Sequence, residues 1–144
     1  MDLFELNNFL RVSTASILGL LIGAERAFNN KSASFRTFSL VSTASSIFTI
    51  VGLEMSKLGD VDPTRISAQI VSGVGFVGAG IIYKDRQANS IEGVTTAVMI
   101  WFSSALGMVC GFGNINLVIT CFSSYGLILL FGKILHILLN GKKE

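Results

Sequence analysis

A single proline, a single histidine and two cysteines in 144 residues leave little from which to build a metal centre or a disulfide framework. Thiols at Cys110 and Cys121 cannot form a zinc site by themselves, and His136 cannot complete one. Charge is scarce as well: 14% of residues are Asp, Glu, Lys or Arg, against about 25% in an ordinary soluble domain. That is too little to coat a water-facing surface. The formal net charge is only +2, and no basic patch interleaved with aromatics occurs, so nucleic acid is set aside as a partner. No nucleophile, base and orienting group stand at a recognisable spacing, which argues against an enzyme. The opening MDLFELNN is acidic where a secretion signal is basic, and no small-residue cleavage site follows, so the first apolar run is expected to be retained.

What is abundant is apolar surface. Hydrophobic residues make up 51% of the chain, gathered in five runs at Phe9–Ala24, Thr37–Leu53, Ile66–Tyr83, Val94–Phe112 and Leu117–Leu139. Several have no polar face wide enough for water, as a soluble amphipathic helix requires. The expected fold is one all-α domain over residues 1–144, a polytopic bundle of five transmembrane helices whose first partner is the lipid bilayer. Most runs are slightly shorter than the roughly 20 residues that cross the hydrocarbon, so the helices should extend into their polar flanks. Arg26, Lys31 and Arg36, then Lys84 and Arg86, then Lys142 and Lys143 fall on one side of such a topology; Lys57 and Arg65 fall on the other. The richer side is expected to be cytoplasmic, placing the N-terminus outside and the C-terminus inside.

Small and polar residues mark the helix faces. Arg11, Ala15, Gly19 and Gly23 recur every four residues, a ladder that lets another backbone approach closely, with Arg11 either at the interface or answering a buried acceptor. Glu25 and Arg26 close this span, and would matter only if buried against another loop. The second span carries Ser39, Ser42, Ser46 and Thr49 on one stripe, suited to bonding preceding carbonyls or a neighbouring helix, or to lining a polar path. Arg36 stands at the start of that helix, where a cation is unfavourable unless a carboxylate such as Glu25 or Asp85 answers it.

Asp62-Pro63 opens the third span as a helix start, with Asp62 a cap and Arg65 and Gln69 a polar edge leading inward. Within it, Gly73-Val74-Gly75-Phe76-Val77-Gly78 satisfies a dinucleotide fingerprint, but the strand and βα repeat such a loop requires are missing from the pattern. Gly73 and Gly80 fall on one side of a helix, and Gly75 and Gly78 nearly opposite, which predicts a helix packed between others. Thr95 and Thr96 open the fourth span and Gly107 and Gly111 close it. A turn at residues 113–116 sets Cys110 and Cys121 at similar heights, as free thiols or as a disulfide.

The stretch Asp62-Pro63-Thr64-Arg65 through Gly80 resembles the MgtC/SapB family of bacterial inner-membrane proteins. So do Arg11 through Gly19, Gly23, Glu25 and Arg26, Phe35-Arg36-Thr37, Gly93 with Thr95-Thr96-Ala97, Trp101, and Ala105-Leu106-Gly107 with Gly111 and Gly113, in the same order. The resemblance implies a multi-pass domain of the bacterial plasma membrane with an external N-terminus, and a link to magnesium homeostasis, growth in low magnesium and, in pathogens, survival inside host cells. It implies no cofactor, with magnesium the ligand it suggests. Better-known members continue into a cytoplasmic ACT-like domain beyond the point where this sequence stops, so regulation through such a domain does not carry over.

Two functions follow. One is a regulatory or binding protein, homo-oligomeric or paired with other membrane proteins, acting through glycine-rich faces; the resemblance implies the proton-translocating ATP synthase as one such partner. The alternative is a magnesium or other cation transporter or channel, which would need oxygen ligands along a wet path. No acidic residue lies well inside any span. The candidate functional residues are Glu25, Arg26, Arg36, Asp62, Arg65, Gln69, Asp85, Thr95 and Thr96. Gly19, Gly23, Gly73, Gly75, Gly78, Gly80, Gly107 and Gly111 are the candidate packing positions.

Overall fold

The apolar runs fold as helices, and the polar flanks lengthen most of them. The computed structural model describes residues 3–28, 34–59, 62–86 and 89–140. These form α1 (Leu3–Phe28), α2 (Phe35–Ser56), α3 (Thr64–Ala79), a two-stranded hairpin of β1 (Tyr83–Asp85) and β2 (Ser90–Glu92), α4 (Val94–Phe112) and α5 (Ile115–Asn140). Among the described residues the fold is all-α apart from that hairpin. α1, α2, α4 and α5, with 26, 22, 19 and 26 residues, are long and apolar enough to cross a membrane. α3 has 16 residues, about 24 Å at the helical rise and short of the roughly 30 Å hydrocarbon layer.

The third helix also ends earlier than the sequence predicts. Gly80 is its C-cap, and Tyr83, expected inside the span, pairs with Glu92 in the antiparallel hairpin. Gly78 and Gly80 weaken the last helical turn, and the β-branched Ile81 and Ile82 with Tyr83 favour an extended chain. Residues 84–93, read from sequence as a loop, therefore contain most of the hairpin.

Contacts divide the chain into two compact units, Met1–Gly113 and Asn114–Glu144. In the first, α1, α2 and α4 pack on one another, and α3 lies against α2 and α4. Ala15, Ile22, Phe38, Ile100 and Leu106 form the apolar part of this core. Hydroxyls form the rest: Ser42, Ser45, Ser46, Thr49, Ser103 and Ser104 are all buried. Ser45 Oγ and Ser104 Oγ share a hydrogen bond of 2.8 Å between α2 and α4, and Ser103 Oγ donates to Phe38 O at 2.9 Å. Ser39 Oγ donates to Ser16 O of α1 at 3.0 Å, while Thr43 and Thr49 bond carbonyls one turn back on α2.

Glycines set how closely these helices approach. A Cβ on Gly107 would strike the carbonyl oxygen of Ser42, and one on Gly111 would lie 2.7 Å from Ser46 O. On α1, Gly19 sits over Phe38 and Ser39, and Gly23 over the Cα of Phe35. Without a hydrophobic drive between helices in lipid, this backbone approach is what holds them. Arg11 closes the other end of the core by donating from Nη1 to Gly111 O at 3.2 Å, placing a cation at the last turn of α4.

α3 is different. Val74 is its only buried residue, so the expectation of a helix enclosed by others of its own chain does not hold. Gly78, one turn on from Val74, contacts Ala97 of α4 at ordinary distance, and Gly80 is near only carbonyls of its own helix. Gly73 and Gly75 flank the Val74 line by about 100° on either side, and nothing lies within 4 Å of a Cβ placed on either.

The second unit is described by α5. Asn114 Oδ1 accepts from Leu117 N at 3.2 Å and caps its start. Thr120 and Ser124 hydroxyls bond the carbonyls four residues back, which hides them from an apolar surround. Cys110 is buried and Cys121 half-buried, and neither is in a disulfide.

Candidate functional site

Local chemistry places the candidate residues in two groups. The first gathers where α1 ends and α4 begins. Arg26, in the last turn of α1, is 7% exposed, and its Nη2 donates to Thr96 Oγ1 at 3.1 Å. Thr96 is itself buried in the first turn of α4, whereas Thr95 faces outward. Gly93, the N-cap, has φ +85 and a backbone pressed against the Ile81 carbonyl, so the chain turns there in a way only glycine allows. Glu25 is half-buried beside Arg26, and Asp85 is half-buried in β1. Arg36 is exposed, with its guanidinium 5.9 Å from the ring centre of Phe35.

The second group lies at the start of α3. Asp62 Oδ1 accepts from Thr64 Oγ1 at 2.7 Å and from Thr64 N at 2.8 Å, capping the helix from just before Pro63. Those two bonds hold the Asp62 carboxyl below its ordinary range, with a smaller push from Arg65. Arg65 and Gln69 are exposed along the same edge. Gln69 borders an open groove of about 390 Å³ between α2, α3 and α4, together with Ser45, Ile70, Gly73, Val77 and Ser104. The groove is apolar apart from Gln69 and the two serines. Among the described residues no three His, Cys, Asp or Glu side chains converge as a metal site.

Sequence reasoning missed the burial of Arg26 and the contact that ties it to Thr96. The two are 70 positions apart, and nothing local distinguishes a terminal Arg on the surface from one enclosed by a neighbouring helix start. It also missed the strained role of Gly93. The one available signal was a glycine directly before Val94-Thr95-Thr96, where a side-chain cap is the usual choice.

Four long apolar helices, with serine, threonine and glycine at the helix contacts and large apolar side chains outside, define an α-helical membrane protein. Comparison with known proteins gives the family: the MgtC family model matches residues 12–138, and the chain belongs to that family. Protein MgtC of Brucella abortus is 45% identical over 102 residues, covering 71% of this chain and 41% of the relative. Protein MgtC of Salmonella typhimurium is 41% identical over 105 residues, covering 73% of this chain and 43% of the relative. The match thus spans about two-fifths of the length of these curated relatives. No solved structure matches.

Proposed function

We propose that this chain is a non-enzymatic regulatory or binding protein of the bacterial inner membrane, multi-pass with its N-terminus outside. It is linked to magnesium homeostasis and acts on copies of itself or on other membrane proteins through the open face of α3. The observation that carries this is the contrast among its glycines. Gly19, Gly23, Gly107 and Gly111 meet neighbouring backbone, but Gly73 and Gly75 meet nothing within 4 Å. A helix lying partly free in lipid derives no packing benefit from glycine and loses helical stability to it, about 1 kcal/mol per residue relative to Ala. A partner helix that closes on that face supplies the missing reason.

The test is crosslinking in native membranes with Gly73→Leu and Gly75→Leu, alongside growth in low magnesium. Loss of crosslinked oligomer or partner, and of growth, is expected while the protein still inserts and folds. Unchanged crosslinking and growth in both variants would sink the reading.

Cation transport is the second reading, favoured by the buried hydroxyls and in particular by Ser42 Oγ and Ser46 Oγ, which have no partner. Liposome flux of magnesium that disappears in Ser42→Ala and Ser46→Ala would replace the regulatory reading with this one.

A further inference from the structure

Gly93 creates a consequence for α4. Its positive φ and the closeness of Ile81 O exclude the Ser, Thr, Asp and Asn that normally close a helix start. α4 therefore begins without a side-chain cap, and its first hydrogen bond runs from Ala97 N to Gly93 O at 2.9 Å. The amides of Val94, Thr95 and Thr96 are left as donors at the positive end of the helix dipole. With 19 residues, α4 is long enough for that end to carry its full partial charge.

A second, independent feature faces the same turn. Arg26 is more than nine-tenths buried, and its Nε has no hydrogen-bond partner. In a planar guanidinium, Nε–H and one Nη2–H lie on the same edge, the two-pronged edge that grips carboxylate and phosphate. Nη2 already reaches Thr96 Oγ1. That bond holds the guanidinium against the first turn of α4 while its Nε–H is left without a partner. A buried cation with an unused donor is costly, and an uncapped helix start beside it adds positive potential without relieving it. An oxyanion with several acceptor oxygens satisfies both at once. A tetrahedral group suits the place better than a flat carboxylate, because it can turn one oxygen to the guanidinium edge and others to the amides. The hairpin leading into Gly93 carries both signs, Lys84 and Arg86 against Asp85 and Glu92, and Glu92 Oε1 accepts from Ser90 Oγ at 3.0 Å. The attraction therefore comes from Arg26 and the helix start, not from a diffuse basic surface.

We propose that the guanidinium of Arg26, through its unpartnered Nε, and the uncapped first turn of α4 form a binding site for a phosphate-type oxyanion. The site lies at the ends of two helices long enough to cross a bilayer, the level at which phospholipid headgroups sit. The headgroup phosphate of an anionic lipid and free inorganic phosphate share the required chemistry. No α3 residue takes part, so this site stands or falls apart from the regulatory reading.

The whole chain, purified in a phosphate-free nonionic detergent, is titrated with phosphatidylglycerol and with a neutral glycosyl diacylglycerol as phosphate-free control. Retained lipid is counted by native mass spectrometry and Tm is followed in parallel. Phosphatidylglycerol should bind about tenfold more tightly than the control, and Arg26→Gln should lose that preference, as removal of a charge-assisted contact predicts. Arg26→Lys, which keeps the charge but not the fork, should fall between the two. A third arm adds millimolar sodium phosphate: displacement of lipid with a rise in Tm assigns the site to free phosphate, and no displacement assigns it to the lipid headgroup. Should Arg26→Gln fail to fold, the wild-type preference and Arg26→Lys decide. Equal retention of the two lipids with no phosphate effect overturns the site, as does wild-type affinity in Arg26→Lys and Arg26→Gln.

Discussion

The same residue type does opposite things in two parts of the first unit. Between α1, α2 and α4, glycine removes a side chain so that a neighbouring backbone can take its place, most closely where Gly107 faces Ser42 O. On α3, Gly73 and Gly75 remove side chains and nothing takes their place. A glycine stripe in a membrane helix is thus a licence for close approach and not a record that approach has occurred. What separates the two cases is the partner, not the stripe.

The largest expected effect tests the filled side. Gly107→Ala puts a Cβ into the Ser42 carbonyl, with Ser42 Cα only 2.8 Å away, and backbone cannot move as a flexible side chain can. Destabilisation of about 3 kcal/mol or more is expected, read as a fall in Tm or as failure to accumulate folded protein in detergent. Gly93→Ala should come next, at about 2 kcal/mol, because it combines a strained positive φ with the collision at Ile81 O. If either variant melts like the wild type, the close approach at that glycine is not sustained in the folded protein.

The open side predicts the reverse sign. Gly73→Ala and Gly75→Ala should each stabilise the isolated chain by about 0.5 to 1 kcal/mol, since helix propensity improves and no neighbour is displaced. The same variants in native membranes should weaken crosslinked assembly if a partner helix normally closes on α3. A loss of stability comparable to that of Gly107→Ala would erase the distinction between the two regions.

The smallest effect lies at the mouth of α3. Folding depresses the Asp62 carboxyl through its bonds from Thr64 Oγ1 and N. Its contribution is therefore fully present above the unfolded carboxyl value, about 3.9, and is lost as pH falls through the lower folded value. Asp62 is exposed, so solvent screens the interaction. Tm measured from neutral to acid pH should show a small gap between wild type and Asp62→Asn that closes at the acid end. A gap that persists unchanged at the lowest pH would mean that the caps are not electrostatic.

Much of the fold was legible because lipid enforces strong patterning. Apolar runs must be helical when no water is present to satisfy the backbone, so α1, α2, α4 and α5 could be placed from their composition. The hydroxyl stripe on α2 was legible in part: Ser39 and Thr49 bond carbonyls as expected, whereas Ser42 Oγ and Ser46 Oγ on the same stripe are buried without a partner. The end of α3 was not legible, because Ile81, Ile82 and Tyr83 are as apolar as the helix they leave. Periodicity cannot tell an apolar strand from the continuation of an apolar helix over three residues.

At the candidate site the balance shifts. Asp62 could be read as a cap from Asp-Pro alone, since capping is a contact between near neighbours. Arg26 could not be placed, since a charged residue at the end of a span looks the same whether it meets water or the first turn of another helix. By itself the sequence determined the solvent, the helical class, the family and the positions where backbones could meet, all of which depend on composition and on spacings of three and four residues. Only the tertiary structure decided which glycines are filled, that Arg26 is enclosed with an idle Nε, and that Gly93 leaves α4 uncapped. Those facts depend on contacts between residues tens of positions apart, and helical periodicity carries no information about which helix lies opposite.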